Sequence, residues 1–212
     1  MIAVKKIISF DMDGTLVDGV YGNMVWLDGI PRRYARRHGM PLDEAKRIVL
    51  EEYDSVGEEN ILWYDMTYWL GRFDLDFPIP ELLEEYSPHI RTLPNVAEVL
   101  ERLAEQYMLV IASNAARIFV EKELSQSGLA RFFDYTVSAT SDFAMVKKEE
   151  EFFRALCRLV DADPEEIVHI GDHAIFDVEV PRRVGLSAFH YNPNGPSGNN
   201  SIRDFKELLA HL

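Results

Sequence analysis

Short apolar runs that each stop on polar residues, spaced by stretches of helical periodicity, constrain this chain more than any other feature. The first run, Val4 to Phe10, is β-branched and aromatic and stops at Asp-Met-Asp-Gly, a cluster of turn formers. The next, Tyr107 to Ala112, stops at Ser113-Asn114 and follows a segment from Asn95 to Gln106 with Val96, Val99, Leu100 and Leu103 on one helical face. The alternation continues with a helix near Ile118 to Ser127, a strand near Tyr135 to Ser138 and a helix near Glu149 to Val160. A strand from Ile167 to Ile170, a short helix around Val178 to Val184 and a strand from Ser187 to Tyr191 come next, and a loop leads to an amphipathic helix from Ile202 to Leu209. Strands alternating with helices predict an α/β fold with a parallel sheet covered on both faces.

Between the first strand and the helix at Asn95 lie roughly seventy residues that break this alternation, too many for a bare connection in a compact domain. Tyr21 to His38, Leu42 to Tyr53 and Asn60 to Phe73 carry apolar or aromatic residues at helical spacing, with Pro31, Gly39-Met40-Pro41, Gly57 and Pro78 to Pro80 as punctuation. The expectation is an α/β core from residues 1–16 and 88–212, with an all-α module inserted over residues 17–87.

Hydrophobic residues make up 47% and charged residues 27%, the balance of an ordinary soluble globular protein. The formal net charge of −14 sets up a field that repels nucleic acid and anionic lipid, so neither is expected as a partner. A small anion remains open, because a lysine, a cation and backbone N–H groups can reverse the potential inside one cleft. Cys157 is the only cysteine, so no internal disulfide or Cys cluster can form, and its helical surroundings read as a small buried apolar side chain. The residues from Met1 to Phe10 hold two lysines inside the apolar run and read as a strand rather than a leader. With no apolar stretch of bilayer length, a cytoplasmic protein is expected.

Asp11 and Asp13 follow the first strand, and an i, i+2 pair in extended backbone points its side chains to one side. Two carboxylates in one small volume repel unless a cation sits between them or one is protonated. On this pair alone a solvated Asp-Gly turn is the simpler reading. Other polar groups, however, also fall at strand carboxyl ends, where open parallel sheets bind their ligands. Ser113 and Asn114 close the second strand, Lys147 and Lys148 follow the third, and Gly171-Asp172 close the fourth with Asp177 one short loop later.

The run Phe10-Asp11-Met12-Asp13-Gly14-Thr15-Leu16-Val17-Asp18 resembles the first signature of the haloacid dehalogenase superfamily. Ser113-Asn114 resembles its second motif, a lysine several residues before Phe153 its third, and Gly171-Asp172 with Asp177 its acidic fourth, all in family order. The resemblance implies a Rossmann-like core, and it identifies the inserted module with a helical cap that closes over the site. It also implies a phosphatase acting on a small phosphorylated metabolite. Asp11 would be the nucleophile that forms an aspartyl-phosphate and Asp13 the acid and base. Ser113 and Asn114 would bind the substrate phosphate. Lys147 would balance its charge, with Lys148 as the alternative.

Asp11, Asp13 through its carbonyl, and Asp172 would hold a metal whose water shell Asp177 orients. An all-oxygen set suits Mg²⁺. Dehalogenases of the superfamily typically lack the second aspartate, so Asp13 points to phosphate. Two alternatives share the chemistry: a phosphomutase with a different cap, and a phospho-accepting regulatory protein, which needs neither Asp13 nor a cap. Trp26, Trp63, Tyr64, Tyr68 and Trp69 with Arg32, Arg33, Arg36 and Arg37 are candidate substrate contacts, although an aromatic stripe more often packs helices.

Overall fold

The computed structural model describes residues 7–146, 149–195, 198 and 200–212. The chain divides into two compact units, one of residues up to Asp18 and from Thr92 onward, the other Gly19–Arg91.

The first unit is built on a six-stranded sheet: β1 (Ile7–Phe10), β2 (Met108–Ser113), β3 (Tyr135–Ser138), β4 (Ile167–Gly171), β5 (Ser187–Tyr191) and β6 (Ser201–Ile202). The order is β3-β2-β1-β4-β5-β6, and every pairing is parallel. Parallel strands need crossovers that lay helices on the faces, which is why β1 and β4 are buried along their whole length. Val96–Ala104 buries Val96, Val99, Leu100 and Leu103, the stripe its spacing predicts. Glu150–Leu159 buries Phe152, Phe153, Leu156 and Cys157 into a cluster with Val110, Val137 and Ile167. Each large apolar side chain so buried contributes about 1.5–3 kcal/mol. Cys157 is therefore a packing residue, and burial pushes its thiol pKa up.

Successive strands leave β1 first toward β2 and β3, then return to its other side as β4 and β5. The carboxyl ends of β1 and β4 flank that reversal, which is where ligands settle in open α/β sheets. Beyond β1 the chain folds into a tight turn, with Gly14 N donating to Val17 O at 2.8 Å and Leu16 N to Met12 O at 2.9 Å. The returning chain ties to that turn through Leu93 N, which donates to Leu16 O at 3.0 Å.

Two expected elements differ. Ile202 lies in β6, not in the terminal helix: a strand pair with β5 claims it, and helix begins only with a tight turn at Phe205–Glu207 that runs into Leu208–His211. Asn60 to Phe73 is not one helix either. A single turn at Ile61–Tyr64 ends at Asp65, whose carboxylate accepts from Thr67 N at 2.8 Å and Tyr68 N at 3.2 Å and so starts a new helix, Met66–Arg72.

The Gly19–Arg91 unit is all helical, with Ile30–His38, Leu42–Val56, Met66–Arg72 and Ile79–Tyr86 as its main helices. Its core is aromatic: Tyr53 meets Trp69 edge-on at 4.7 Å between centroids, and Trp69 stacks on Phe73 at 5.4 Å. Trp69 is fully buried, so it packs helices. Three of the arginines singled out above are ion-paired inside the unit, Arg32 to Asp28, Arg33 to Glu85 and Arg37 to Asp74. Among the described residues, no helix is long and apolar enough to cross a membrane.

Candidate active site

Asp11 is the first residue past β1, and its backbone N donates to Ile170 O of β4 at 2.9 Å, which locks the two strand ends together. Asp172 is the first residue past β4. Two glycines let these groups converge. At Gly14, where φ is +75°, a Cβ would stand 2.3 Å from Asp172 Oδ2, and at Gly171 a Cβ would stand 2.2 Å from Asp177 Cγ. Neither carboxylate could occupy its place beside an L side chain at that position.

The result is a group of three, Asp11, Asp172 and Asp177, whose carboxylate oxygens lie within 4.8 Å of one another. Asp11 is 8% exposed, Asp177 is fully buried, and Asp172 faces solvent. His190 Nε2 donates to Asp172 O at 2.7 Å and pins the loop that carries it. Three carboxylates this close repel one another strongly in a partly buried setting, and a divalent cation is the simplest relief. The donors are all oxygen, with no thiolate or imidazole, so they fit a hard cation such as Mg²⁺ rather than zinc.

The Asp177 carboxylate thus stands beside those of Asp11 and Asp172. The Asp13 side chain is not in this group. Its close neighbour is Glu123, on the helix Arg117–Ser127, which is fully buried and whose two oxygens find no hydrogen-bond partner of normal geometry among the described residues. Burial raises the Glu123 pKa well above the usual carboxylate range, and the negative charges of Asp13, Asp11 and Asp18 raise it further.

Ser113 closes β2 two residues past Ile111, the register partner of Phe10, and is 2% exposed. Its Oγ accepts from Ala115 N at 3.1 Å, which bends the chain at Asn114. Thr140 Oγ1 donates to Asn114 O at 3.1 Å, and Ser138 Oγ donates to Ala115 O at 2.8 Å, so the end of β3 and the helical turn Ala139–Phe143 that follows it brace this loop. Lys147 and Lys148 lie outside the described residues.

Sequence reasoning missed Glu123 and His169. Each was readable as a charge or imidazole interrupting an apolar pattern: Glu123 shares a helix face with Phe119 and Val120, and His169 sits inside Ile-Val-His-Ile.

Known proteins resemble this chain over most of its length. The family model for haloacid dehalogenase-like hydrolases matches residues 5–185. The GMP/IMP nucleotidase of Escherichia coli strain K12 is 24% identical over 213 residues, covering 97% of this chain and 94% of that protein. The glyceraldehyde 3-phosphate phosphatase of Pyrococcus furiosus is 28% identical over 196 residues, covering 85% and 78%. Among solved structures, a haloacid dehalogenase-type phosphatase from Thermococcus onnurineus superposes with a TM-score of 0.85 at 29% identity, covering 97% of each chain. With acidic side chains gathered at the reversal of a parallel sheet and a family match spanning most of its length, the chain belongs to the haloacid dehalogenase-like hydrolases.

Proposed function

We propose that this hydrolase is a Mg²⁺-dependent phosphatase that cleaves a small-molecule phosphomonoester through an aspartyl-phosphate on Asp11. The observation that carries this reading is the convergence of Asp11, Asp172 and Asp177 at the ends of β1 and β4. Relatives named for GMP and IMP and for glyceraldehyde 3-phosphate support a small phosphorylated metabolite as the substrate class.

Asp11 and Asp172 would hold Mg²⁺ with the Asp13 carbonyl, and Asp177 would hold it directly or through its water shell. When bound, the cation offsets charge on the phosphoryl oxygens. An Asp11 carboxylate oxygen attacks phosphorus as the bond to the leaving oxygen breaks, and Asp13 gives that oxygen its proton. Water then attacks the phosphorus of the acyl phosphate while Asp13 takes back a proton, releasing inorganic phosphate and restoring Asp11. The Ser113 hydroxyl and the Asn114 region hydrogen-bond the phosphoryl oxygens, and Lys147, or Lys148 in its place, balances the charge that builds on them. The Gly19–Arg91 unit, which the resemblance identifies with a cap module, would select the substrate. A single cysteine is compatible with a reducing cytoplasm.

The test is hydrolysis of p-nitrophenyl phosphate with Mg²⁺. Wild-type protein turns it over and Asp11→Asn does not, while both give the same circular dichroism spectrum and melting temperature. Equal rates in the two proteins would remove Asp11 from the nucleophile's role.

A further inference from the structure

β4 reads Ile-Val-His-Ile-Gly and is buried throughout; Ile167, Val168 and Ile170 are what a central strand needs, Gly171 leaves room for Asp177, and His169 is the polar exception. The ring is fully buried and packs edge-on against Phe153 at 5.2 Å between centroids. Burying an imidazole is unfavourable unless both nitrogens are engaged. Here they are: Nδ1 lies 2.8 Å from Ser9 Oγ and Nε2 lies 3.0 Å from Asp177 Oδ1. An ionised Asp177 can only accept, so Nε2 carries the proton. In the neutral ring Nδ1 then accepts, and the Ser9 hydroxyl donates to it.

Ser9 and His169 are register partners on adjacent strands, so their side chains lie side by side on one face of the sheet. Two residues on, Asp11 and Gly171 continue that face, and Asp177 fills the space that Gly171 leaves. The second Asp177 oxygen accepts from His173 N at 2.9 Å. Two donors arriving at different oxygens fix the plane of the carboxylate without exhausting its lone pairs.

We propose that His169 is a positioning residue, which with Ser9 behind it holds the Asp177 carboxylate in the orientation that the cation site requires. This rests on the reading of Asp11, Asp172 and Asp177 as a Mg²⁺ site. Partners that orient metal-binding groups typically change metal affinity by about 10–100-fold when removed. A leucine at position 169 would fill the volume and supply neither bond, whereas a glutamine could place an amide N–H near the Nε2 position.

The experiment is calorimetric titration of metal-free protein with Mg²⁺, with thermal denaturation of each metal-free variant as the check on folding. His169→Leu is expected to weaken binding about 10–100-fold, and His169→Gln to recover most of that loss. Wild-type affinity in the leucine variant overturns the proposal. A glutamine variant as weak as leucine also overturns it, because the effect would then be packing and not the hydrogen bond. Should His169→Leu fail to fold, Ser9→Ala decides: it removes one hydroxyl, is expected to weaken binding by about threefold or more, and an unchanged Kd overturns the relay. A wild-type protein that binds no Mg²⁺ defeats the site reading itself, whereas wild-type binding with unchanged variants defeats only the role of His169.

Discussion

Glu123 gives the sharpest quantitative test of how this site is built. Its carboxyl is fully buried beside Asp13, and desolvation, ahead of the charges of Asp13, Asp11 and Asp18, raises its pKa well above the ordinary value of 4.5. In the unfolded chain Glu123 loses its proton near pH 4.5, while in the folded protein it keeps the proton to higher pH. Within that window the folded state holds one more proton than the unfolded state. Stability from this group is therefore complete below pH 4.5, falls as pH rises, and levels off above the folded-state pKa. The slope inside the window is about 1.4 kcal/mol per pH unit.

Glu123→Gln keeps the shape and removes the titration. The assay is urea denaturation of the metal-free wild type and variant at pH 4, 5 and 6, with m-values compared to check that the transition stays two-state. Near pH 4 the two proteins should differ by less than about 1 kcal/mol, because a neutral carboxyl and an amide are close in size and polarity. Each further pH unit inside the window should favour the glutamine variant by about 1.4 kcal/mol. A difference that stays flat from pH 5 to pH 6 would refute the reasoning, since it would mean that the buried carboxyl ionises as readily as an exposed one.

Two other perturbations probe the same region. Gly171→Ala puts a methyl where Asp177 Cγ stands 2.2 Å away, so it should cost about 1–3 kcal/mol in urea denaturation and remove Mg²⁺ binding by calorimetry. Asp13→Asn should slow turnover of p-nitrophenyl phosphate about 10²–10⁴-fold and leave phosphoenzyme visible in acid-quenched samples; turnover at the wild-type rate would rule out its acid and base role.

Asp11 and Asp172 were legible in the sequence because each directly ends an apolar run, so finding the strand finds the carboxylate. The parallel sheet was legible for a related reason, since strands alternating with helices need crossovers that cover both of its faces. The ion pairs of the helical unit were not legible. Arg33 and Arg37 stand out as charges, but Glu85 and Asp74 lie 52 and 37 residues away, and spacing along the chain carries no sign of that pairing. Ile202 misled for a different reason. With Phe205 and Leu208 it keeps helical spacing, but a hydrogen-bonded partner strand claims it, and a two-residue strand has no pattern of its own. The break at Asp65 was readable in principle, because an aspartate before Met-Thr-Tyr is an ordinary helix start; the aromatic spacing outweighed it.

The least legible part is also the most informative. Among the described residues the buried polar or charged side chains are Ser9, Asp11, Thr15, Ser87, Ser113, Glu123, Ser138, His169 and Asp177. Only Ser87 belongs to the helical unit; the others sit in β1 to β4 or in the segments that follow their carboxyl ends. Packing alone gives no reason for this bias, because an apolar residue at Glu123 or His169 would suit the surrounding helix face or strand better. Sequence patterns are written by the core, so they are read correctly where burial is apolar and wrongly where the fold buries a polar group for another purpose. These exceptions collect toward the carboxyl ends of the strands, next to the three convergent carboxylates, which is where the proposed chemistry would need polar groups held in place.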